Sequence, residues 1–343
     1  MRRFRSLGLF LALILLCSGC IRSKPAQRQV FAMDTIMSFT AYGKQAEEAL
    51  TQAEAYLHEL ETALSVTREE SEISQVNRAA GEWVSVPIAF DILSAAERLC
   101  GLTGGALDIT AYPAVKAWGF TTGEHRVPDQ TELTGLIGRI DYTALELDAG
   151  SQSARLPDGM ELDLGAVAKG WAGEELAKLL KGSGVTSATL SLGGNVQTIG
   201  SKPDGSPWRV GIQDPLSAQG TSCAIVEVAD QAVVTSGGYE RYFEENGVHY
   251  CHIIDPDTAA PAQAGLTSVT IVGDSGTVCD GLSTALFVMG AEQAAQFWRT
   301  HPELNFDYIL MLEDGSIHIT QGLEPSFSLT DGYTDRKVTV IAP

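Results

Sequence analysis

The sequence predicts an α+β fold in which mainly antiparallel sheets pack against helices. Three observations predict it. Long apolar stripes at helical spacing are interspersed with short runs of strand-forming residues. Several of those runs come in pairs joined by tight turns, Asn246-Gly247 and Asp314-Gly315 among them. The regular alternation of strand and helix that marks a parallel sheet is missing. With 343 residues, 44% of them hydrophobic, the chain has ample material for a packed core.

The N-terminus carries its own signal. Met1-Arg2-Arg3-Phe4-Arg5 and the apolar run from Leu7 to Leu16 have the basic and hydrophobic regions of a signal peptide, and the run is too short to span a bilayer. It ends in Leu16-Cys17-Ser18-Gly19-Cys20, where small residues precede a cysteine as in bacterial lipoproteins, although Cys17 stands where leucine is usual. The expectation is a lipoprotein signal peptide over residues 1–19, lipidation at Cys20, a tether over residues 20–30 and one domain over residues 31–343. Such a chain is anchored by lipid on the outer face of the bacterial cell membrane. The formal charge of −20 argues against nucleic acid as a partner. It also means that a bound nucleotide needs local positive charge or a metal ion. Beyond Cys17 and Cys20, the cysteines are Cys100, Cys223, Cys251 and Cys279, whose spacing suits no zinc finger and whose pairing is open; small buried apolar residues are the commoner reading.

Taken in order, Phe31 to Gly43 reads as a first strand, and Ala46, Leu50, Ala53, Leu57, Leu60 and Leu64 form one face of a long helix. Ser65 to Asn77 is polar and loop-like. Trp83 to Val86 reads as a short strand, and a helix follows with Ile88, Ile92, Ala95, Ala96 and Leu99 on one side. Thr103 to Thr110 holds two glycines that admit a close backbone approach, then an Asp and a Thr able to hydrogen-bond there. Trp118-Gly119-Phe120 offers rings for a flat ligand or, more plainly, a packed corner. Leu145 and Leu147 alternate with polar residues and pair with the run from Ala154 to Leu162. Further strands are expected at 188–192, 210–212, 225–228, 232–234, 248–254, 267–272, 308–312, 316–319 and 337–341. Val278, Leu282, Ala285, Leu286 and Met289 make a helical stripe ending at Gly290, and Glu292 to Thr300 a further helix.

The chemistry-bearing stretch is Asp163-Leu164-Gly165-Ala166-Val167-Ala168-Lys169-Gly170-Trp171, an extended run that turns at glycine and opens a helix. A helix start presents unpartnered N–H groups and partial positive charge, which favour an anion. Lys169 adds a full charge, and Asp163 is an acceptor for a sugar hydroxyl or a metal. The plainer reading is an ordinary strand-to-helix turn; P-loop spacing is absent. Asp280 and Thr284 stand four apart, hence one above the other on a helix, and so present a carboxylate and a hydroxyl to one hard cation. An Asp near a helix start is also a common capping residue.

Together these pieces resemble the ApbE-like FAD:protein FMN transferases in lipoprotein form. The resemblance runs through Met33-Asp34-Thr35, Ser71-Glu72-Ile73-Ser74, Gly104-Gly105-Ala106-Leu107-Asp108-Ile109-Thr110, Trp118-Gly119-Phe120, Asp163 to Gly170, Ser191-Leu192-Gly193-Gly194-Asn195, His252-Ile253-Ile254-Asp255-Pro256 and Asp280 to Ala285, in the family's order. It implies a T-fold-like architecture of two similar lobes in one catalytic unit. It also implies a magnesium-dependent transfer of FMN from FAD onto a threonine hydroxyl of an acceptor flavoprotein, with release of AMP. FAD contacts are then expected from Met33, Leu107, Asp108, Ile109, Asp163, Lys169 and Ile254, and Mg2+ ligands from the Ala166 carbonyl, Asp280 and Thr284. His252 and Asp280 take the catalytic roles, His252 as the base for the acceptor hydroxyl. The family often has Gly at Asp34 and Ala259 and Tyr at Thr67; Thr67 lacks the aromatic ring that could stack on the flavin nucleotide in relatives, whereas Ala259 leaves the polar groups of its loop intact. The alternatives are a non-catalytic flavin-binding lipoprotein outside the cytoplasm and an FAD pyrophosphatase.

Overall fold

The computed structural model describes residues 24–218 and 220–343, so the signal peptide over residues 1–19 and lipidation at Cys20 lie outside the described residues. The framework is a nine-stranded sheet: β1 (Ala26–Ala32), β2 (Thr35–Tyr42), β3 (Ser187–Leu192), β4 (Asn195–Ile199), β5 (Ala232–Gly237), β6 (Leu266–Gly273), β7 (Phe306–Leu312), β8 (Ile317–Thr320) and β9 (Val338–Ile341). These strands lie side by side in chain order. Neighbours are antiparallel until the last pair, β8 and β9, which is parallel.

Seven helices accompany the sheet among the described residues: α1 (Ala46–Leu64), α2 (Glu72–Arg78), α3 (Phe90–Leu102), α4 (Tyr112–Ala117), α5 (Gln130–Ile137), α6 (Ala168–Gly182) and α7 (Gly276–Thr300). The two halves repeat one plan. β1 and β2 lead through α1 and, after an insertion, α6 to β3 and β4; β5 and β6 lead through α7 to β7 and β8. The second half also has two helical segments, because α7 is broken at Gly290, whose φ of 75° and ψ of 174° are not helical. The fold is therefore T-fold-like and two-lobed.

Packing follows the apolar periodicities. Leu50, Leu57 and Leu60 of α1 meet Leu176 and Leu180 of α6 over Phe39 and Leu190 of the sheet. In the second lobe Leu282 and Leu286 of α7 lie on Val269, Ile271 and Tyr308. Full burial of each such side chain contributes about 1.5–3 kcal/mol. Val272, on the opposite face of β6, joins Trp208 and Val226 of an outer three-stranded sheet formed by Trp208–Gln213, Ser222–Val228 and Phe327–Leu329. Between the lobes the sheet is thin: β4 and β5 pair at two positions, Ala232 with Gln197 and Val233 with Val196. The helices strengthen the junction, since α6 and α7 touch backbone to backbone at Gly170 and Gly276.

The structure departs from the sequence reading in several places. The single strand expected from Phe31 to Gly43 is a hairpin that turns at Met33-Asp34, both in the left-handed region (φ 50° and 59°) as a two-residue turn requires. Its first strand takes in Ala26–Val30, which the sequence assigns to the tether; polar residues alternating with inward Val30 and Ala32 mask a strand there. Within the expected loop at 65–77, Glu72–Arg78 is a helix, capped by the Ser71 hydroxyl accepting the Ser74 N–H at 3.0 Å. Helices α4 and α5 are too short for their periodicity to stand out. The strand expected to run from Val248 to Ile254 stops at Cys251. Cys100, Cys223, Cys251 and Cys279 are all free and buried, and burial pushes the Cys100 thiol up to about 12.

Candidate active site

Where the lobes meet, loops and helix starts from both enclose a cavity of about 600 Å³. The Asp163 N–H donates to the Ile109 carbonyl at 2.9 Å, which lays the glycine-rich Thr103–Thr110 turn beside the start of α6. The Gly170 N–H, one of the donors left over at that start, finds its acceptor in the other lobe, on Asp280 Oδ2 at 2.7 Å. Asn195 Nδ2 donates to Asp280 Oδ1 at 3.0 Å. The Lys169 backbone also acts on this carboxylate, and because two carboxylate oxygens offer about four acceptor sites in all, capacity remains for a further partner. Burial raises the Asp280 carboxyl above its usual range, while the Lys169 charge and these donors pull it back. Thr284, one turn along α7, has its Oγ1 3.3 Å from Ser236 Oγ, which is itself 2.6 Å from Ser283 Oγ.

His252 leaves the hairpin Tyr242–Glu245/Val248–Cys251 and is tied twice to one carbonyl. Its backbone N–H donates to Arg241 O at 3.0 Å and its ring Nδ1 lies 3.2 Å from the same oxygen. A carbonyl only accepts, so Nδ1 carries the proton and Nε2 keeps a lone pair. Burial, then the charges of Arg241 and Lys169, push the imidazole down to about 4, so the ring is neutral at ordinary pH. Burial likewise raises Asp163, against the Gly165 N–H and the Arg241 charge.

All eleven cavity residues singled out from the sequence line this one space: Met33, Leu107, Asp108, Ile109, Asp163, Ala166, Lys169, His252, Ile254, Asp280 and Thr284. Their local bonds refine what each has free to offer. Asp108 is committed to the fold, its Oδ1 accepting the Thr110 N–H (2.8 Å) and hydroxyl (2.7 Å) and its Oδ2 the Tyr142 N–H (3.0 Å). The Asp and Thr of that turn thus satisfy each other. Met33 donates its N–H to Glu61 at 2.7 Å. Trp118 is the packed corner, with its indole N–H on the Ala259 carbonyl at 2.8 Å and its ring beside Tyr250. Gly193 leaves room for the Thr35 side chain, where a Cβ would lie 2.5 Å from Thr35 Cγ2, and so lets the turn set Asn195 against Asp280. Asp34 and Ala259, where the resemblance calls for glycine, have φ of 59° and 53°, a region glycine enters without strain. Thr67 lines the cavity.

Sequence reasoning missed two further cations, Arg241 and Arg68, and their surroundings. Arg241, Glu240, Ser236, Glu61 and Arg68 also line the cavity; Arg68 lies 3.5 Å from Glu61, whereas Arg241 and Lys169 act on His252. Arg241 and Glu240 sit in a segment that reads as plain hairpin, and no spacing marks them. Asn195 carried a signal, a polar residue straight after Gly193-Gly194, but its partner lies 85 residues away.

The fold and the cavity define a two-lobed α+β protein of enzyme type, with a lysine-bearing helix start, a buried carboxylate and a neutral histidine facing one enclosed space. The ApbE family profile matches residues 33–307. The chain is 35% identical over 298 residues to an FAD:protein FMN transferase of Vibrio cholerae, covering 82% of this chain and 87% of that protein. It is 32% identical over 330 residues to one from Treponema pallidum, covering 90% of each. Among solved structures, the ApbE protein of Thermotoga maritima superposes with a TM-score of 0.82 at 29% identity, over 88% of this chain and 99% of that one. The flavin transferase ApbE from Vibrio cholerae gives 0.78 at 29% identity, over 88% and 99%. The chain belongs to the ApbE family.

Proposed function

We propose that this protein is an FAD:protein FMN transferase that moves the FMN half of FAD onto a threonine hydroxyl of an acceptor flavoprotein and releases AMP. The observation that carries the reading is the meeting of Lys169, His252, Asp280 and Thr284, drawn from both lobes, in one cavity. A cavity of about 600 Å³ suits a single extended cofactor-sized ligand. Lys169, Arg241 and the N–H groups at the start of α6 favour a diphosphate. Apolar Met33, Leu107, Ile109 and Ile254 suit flat rings.

The transfer is a phosphoryl-type displacement, which asks mainly for positioning and charge stabilisation. The threonine Oγ attacks the phosphorus on the flavin side of the diphosphate and its proton passes to His252 Nε2. A new Oγ–P bond forms, the P–O bond to the AMP phosphate breaks, and AMP leaves with the electron pair. No oxidant or reductant is needed. His252 is held in the right tautomer by the Arg241 carbonyl, and Lys169 steadies the negative charge on the departing phosphate.

The donor set also fits Mg2+. Among the described residues no group of three or more His, Cys, Asp or Glu is placed to hold a metal ion. Asp280, Thr284 and Ala166 all line the cavity, and one carboxylate, one hydroxyl and one backbone carbonyl would make an all-oxygen set of the kind Mg2+ completes with ligand phosphates and water. The ion would supply charge neutralisation at the diphosphate. Attachment to the outer face of the bacterial cell membrane through lipid on Cys20 belongs to the same proposal and rests on the Leu16–Cys20 motif. Among the described residues no helix is long and apolar enough to cross a membrane.

The test is incubation with FAD, Mg2+ and a threonine-bearing acceptor domain. AMP release with flavin covalently on the acceptor is the expected result. FMN and AMP with an unlabelled acceptor mean a pyrophosphatase, and tight FAD binding without turnover means a flavin carrier. Mass spectrometry of the N-terminal peptide reads the lipid on Cys20; an unmodified Cys20 in membrane-grown protein would remove the anchor.

A further inference from the structure

Two substrates must meet at His252, and the cavity described above accounts for one of them. A second cavity of about 450 Å³ adjoins it. Phe120, Thr121, Glu240 and Arg241 line both spaces, so they are two chambers with a common partition. His252 lines the inner chamber and not the outer one, but it touches two residues of the partition: the ring of Phe120 meets it edge-on with centroids 6.5 Å apart, and the Arg241 carbonyl holds its Nδ1.

The outer chamber is bounded on one side by the Thr121–Gly123 turn and on the other by Tyr242, where the hairpin begins. Its walls are preformed. The turn is held closed because Gly119, at φ 82°, lets its chain pass so near Glu124 that a Cβ would overlap the Glu124 carbonyl. Behind it, His125 stacks flat on Phe243 (4.9 Å between centroids, 7° between planes), and Phe243 stacks on Tyr250 at 5.1 Å. The Arg241 guanidinium donates to the Phe120 carbonyl and joins the two walls. Among the described residues the hairpin is a sheet of two strands, so its outer edges still carry backbone donors and acceptors for an added strand. Tyr242 is 47% exposed at the start of one such edge. An amphipathic ring with little conformational freedom, standing beside a free strand edge, suits contact with a protein chain.

We propose that this outer chamber is the acceptor's docking cleft, seating an extended hydroxyl-bearing segment of the acceptor protein between the Thr121–Gly123 turn and Tyr242 so that its oxygen reaches His252. The inference rests on the transferase reading. It assigns the inner chamber to FAD and the outer one to protein, and it accounts for a second space, across Phe120 and Arg241 from His252, that one dinucleotide does not need.

Thr122 and Tyr242 line the outer chamber and not the inner one, which makes them selective probes. Thr122→Trp fills the cleft from an exposed turn, and Tyr242→Ala removes one wall. The measurements are FAD affinity by flavin fluorescence, and KM and kcat for flavin transfer to a purified acceptor domain at saturating FAD. The expected result for each variant is FAD affinity within about twofold of wild type and a KM for the acceptor at least tenfold higher, with kcat changed much less. Unchanged acceptor KM in both variants, or a fall confined to kcat, overturns the docking cleft while leaving the transferase intact. A wild-type protein that labels no acceptor overturns the transferase reading instead, and the cleft with it.

Discussion

The contact between the lobes makes Gly170→Ala the most informative single change. A Cβ on Gly170 would overlap the Gly276 carbonyl oxygen and lie 2.5 Å from Asp280 Cβ. Carbon atoms pack at about 3.5–4.0 Å, so the helices must part by about 1 Å or more. Neither neighbour is the yielding end of a flexible side chain. Overpacking of this kind costs about 1–3 kcal/mol. The same movement stretches the 2.7 Å bond from the Gly170 N–H to Asp280, and a hydrogen bond to a charged group contributes about 1.5–3 kcal/mol. The expected loss of stability is therefore about 3–5 kcal/mol, read from urea unfolding as a lower midpoint at unchanged slope. Transfer should fall more steeply than stability, because Asp280 is displaced from Lys169 even in molecules that remain folded. Gly276→Ala, whose Cβ would lie 2.5 Å from the Gly170 carbonyl, should behave alike. A loss below about 1 kcal/mol with normal turnover would show that the helices do not set the carboxylate.

Other outcomes follow from the same geometry. With His252 as the proposed base and its pKa pushed down to about 4, kcat/KM for FAD should hold through mildly acid pH and drop only as pH falls through that region. In the kcat profile the acid limb should sit higher, because a bound diphosphate offsets Lys169 and Arg241; coincident limbs in the two profiles would contradict this. Asn195→Ala removes a buried donor from Asp280 and should cost about 2 kcal/mol in urea unfolding while weakening the response to Mg2+. Chelation with EDTA should stop transfer, and Mg2+ should restore it better than the larger Ca2+; full activity in EDTA would dismiss the metal.

What could be read from the sequence divides along a physical line. Elements with a long period were legible: α1 runs from Ala46 to Leu64 as its leucine spacing requires, and the Asn246-Gly247 hairpin forms with both turn residues at positive φ. Asp280 and Thr284 were legible as a pair because four residues make one helical turn. Elements fixed by capping or tertiary contact were not. Glu72–Arg78 is a short helix capped by one serine hydroxyl and tied to the next segment through Glu72, and β1 begins within a polar run whose inward residues are few. In the site, residues inside motifs came together, but what their side chains were free to do depended on distant neighbours. Asp108 looked like a ligand contact and is spoken for by Thr110 and Tyr142, while Arg241 looked like an ordinary hairpin residue and holds His252.

The thin pairing of β4 with β5 has a consequence for how activity arises during folding. The hairpins within each half pair strands close in the chain, although β2 and β3 pair across the long insertion, so each half has contacts that it can close without the other. Lys169 belongs to the first half and Asp280 to the second, and they come together only when the halves dock. Competence is thus a late product of assembly. A chain interrupted between the halves should be inert, and mixing the two fragments should bring turnover back in proportion to their association.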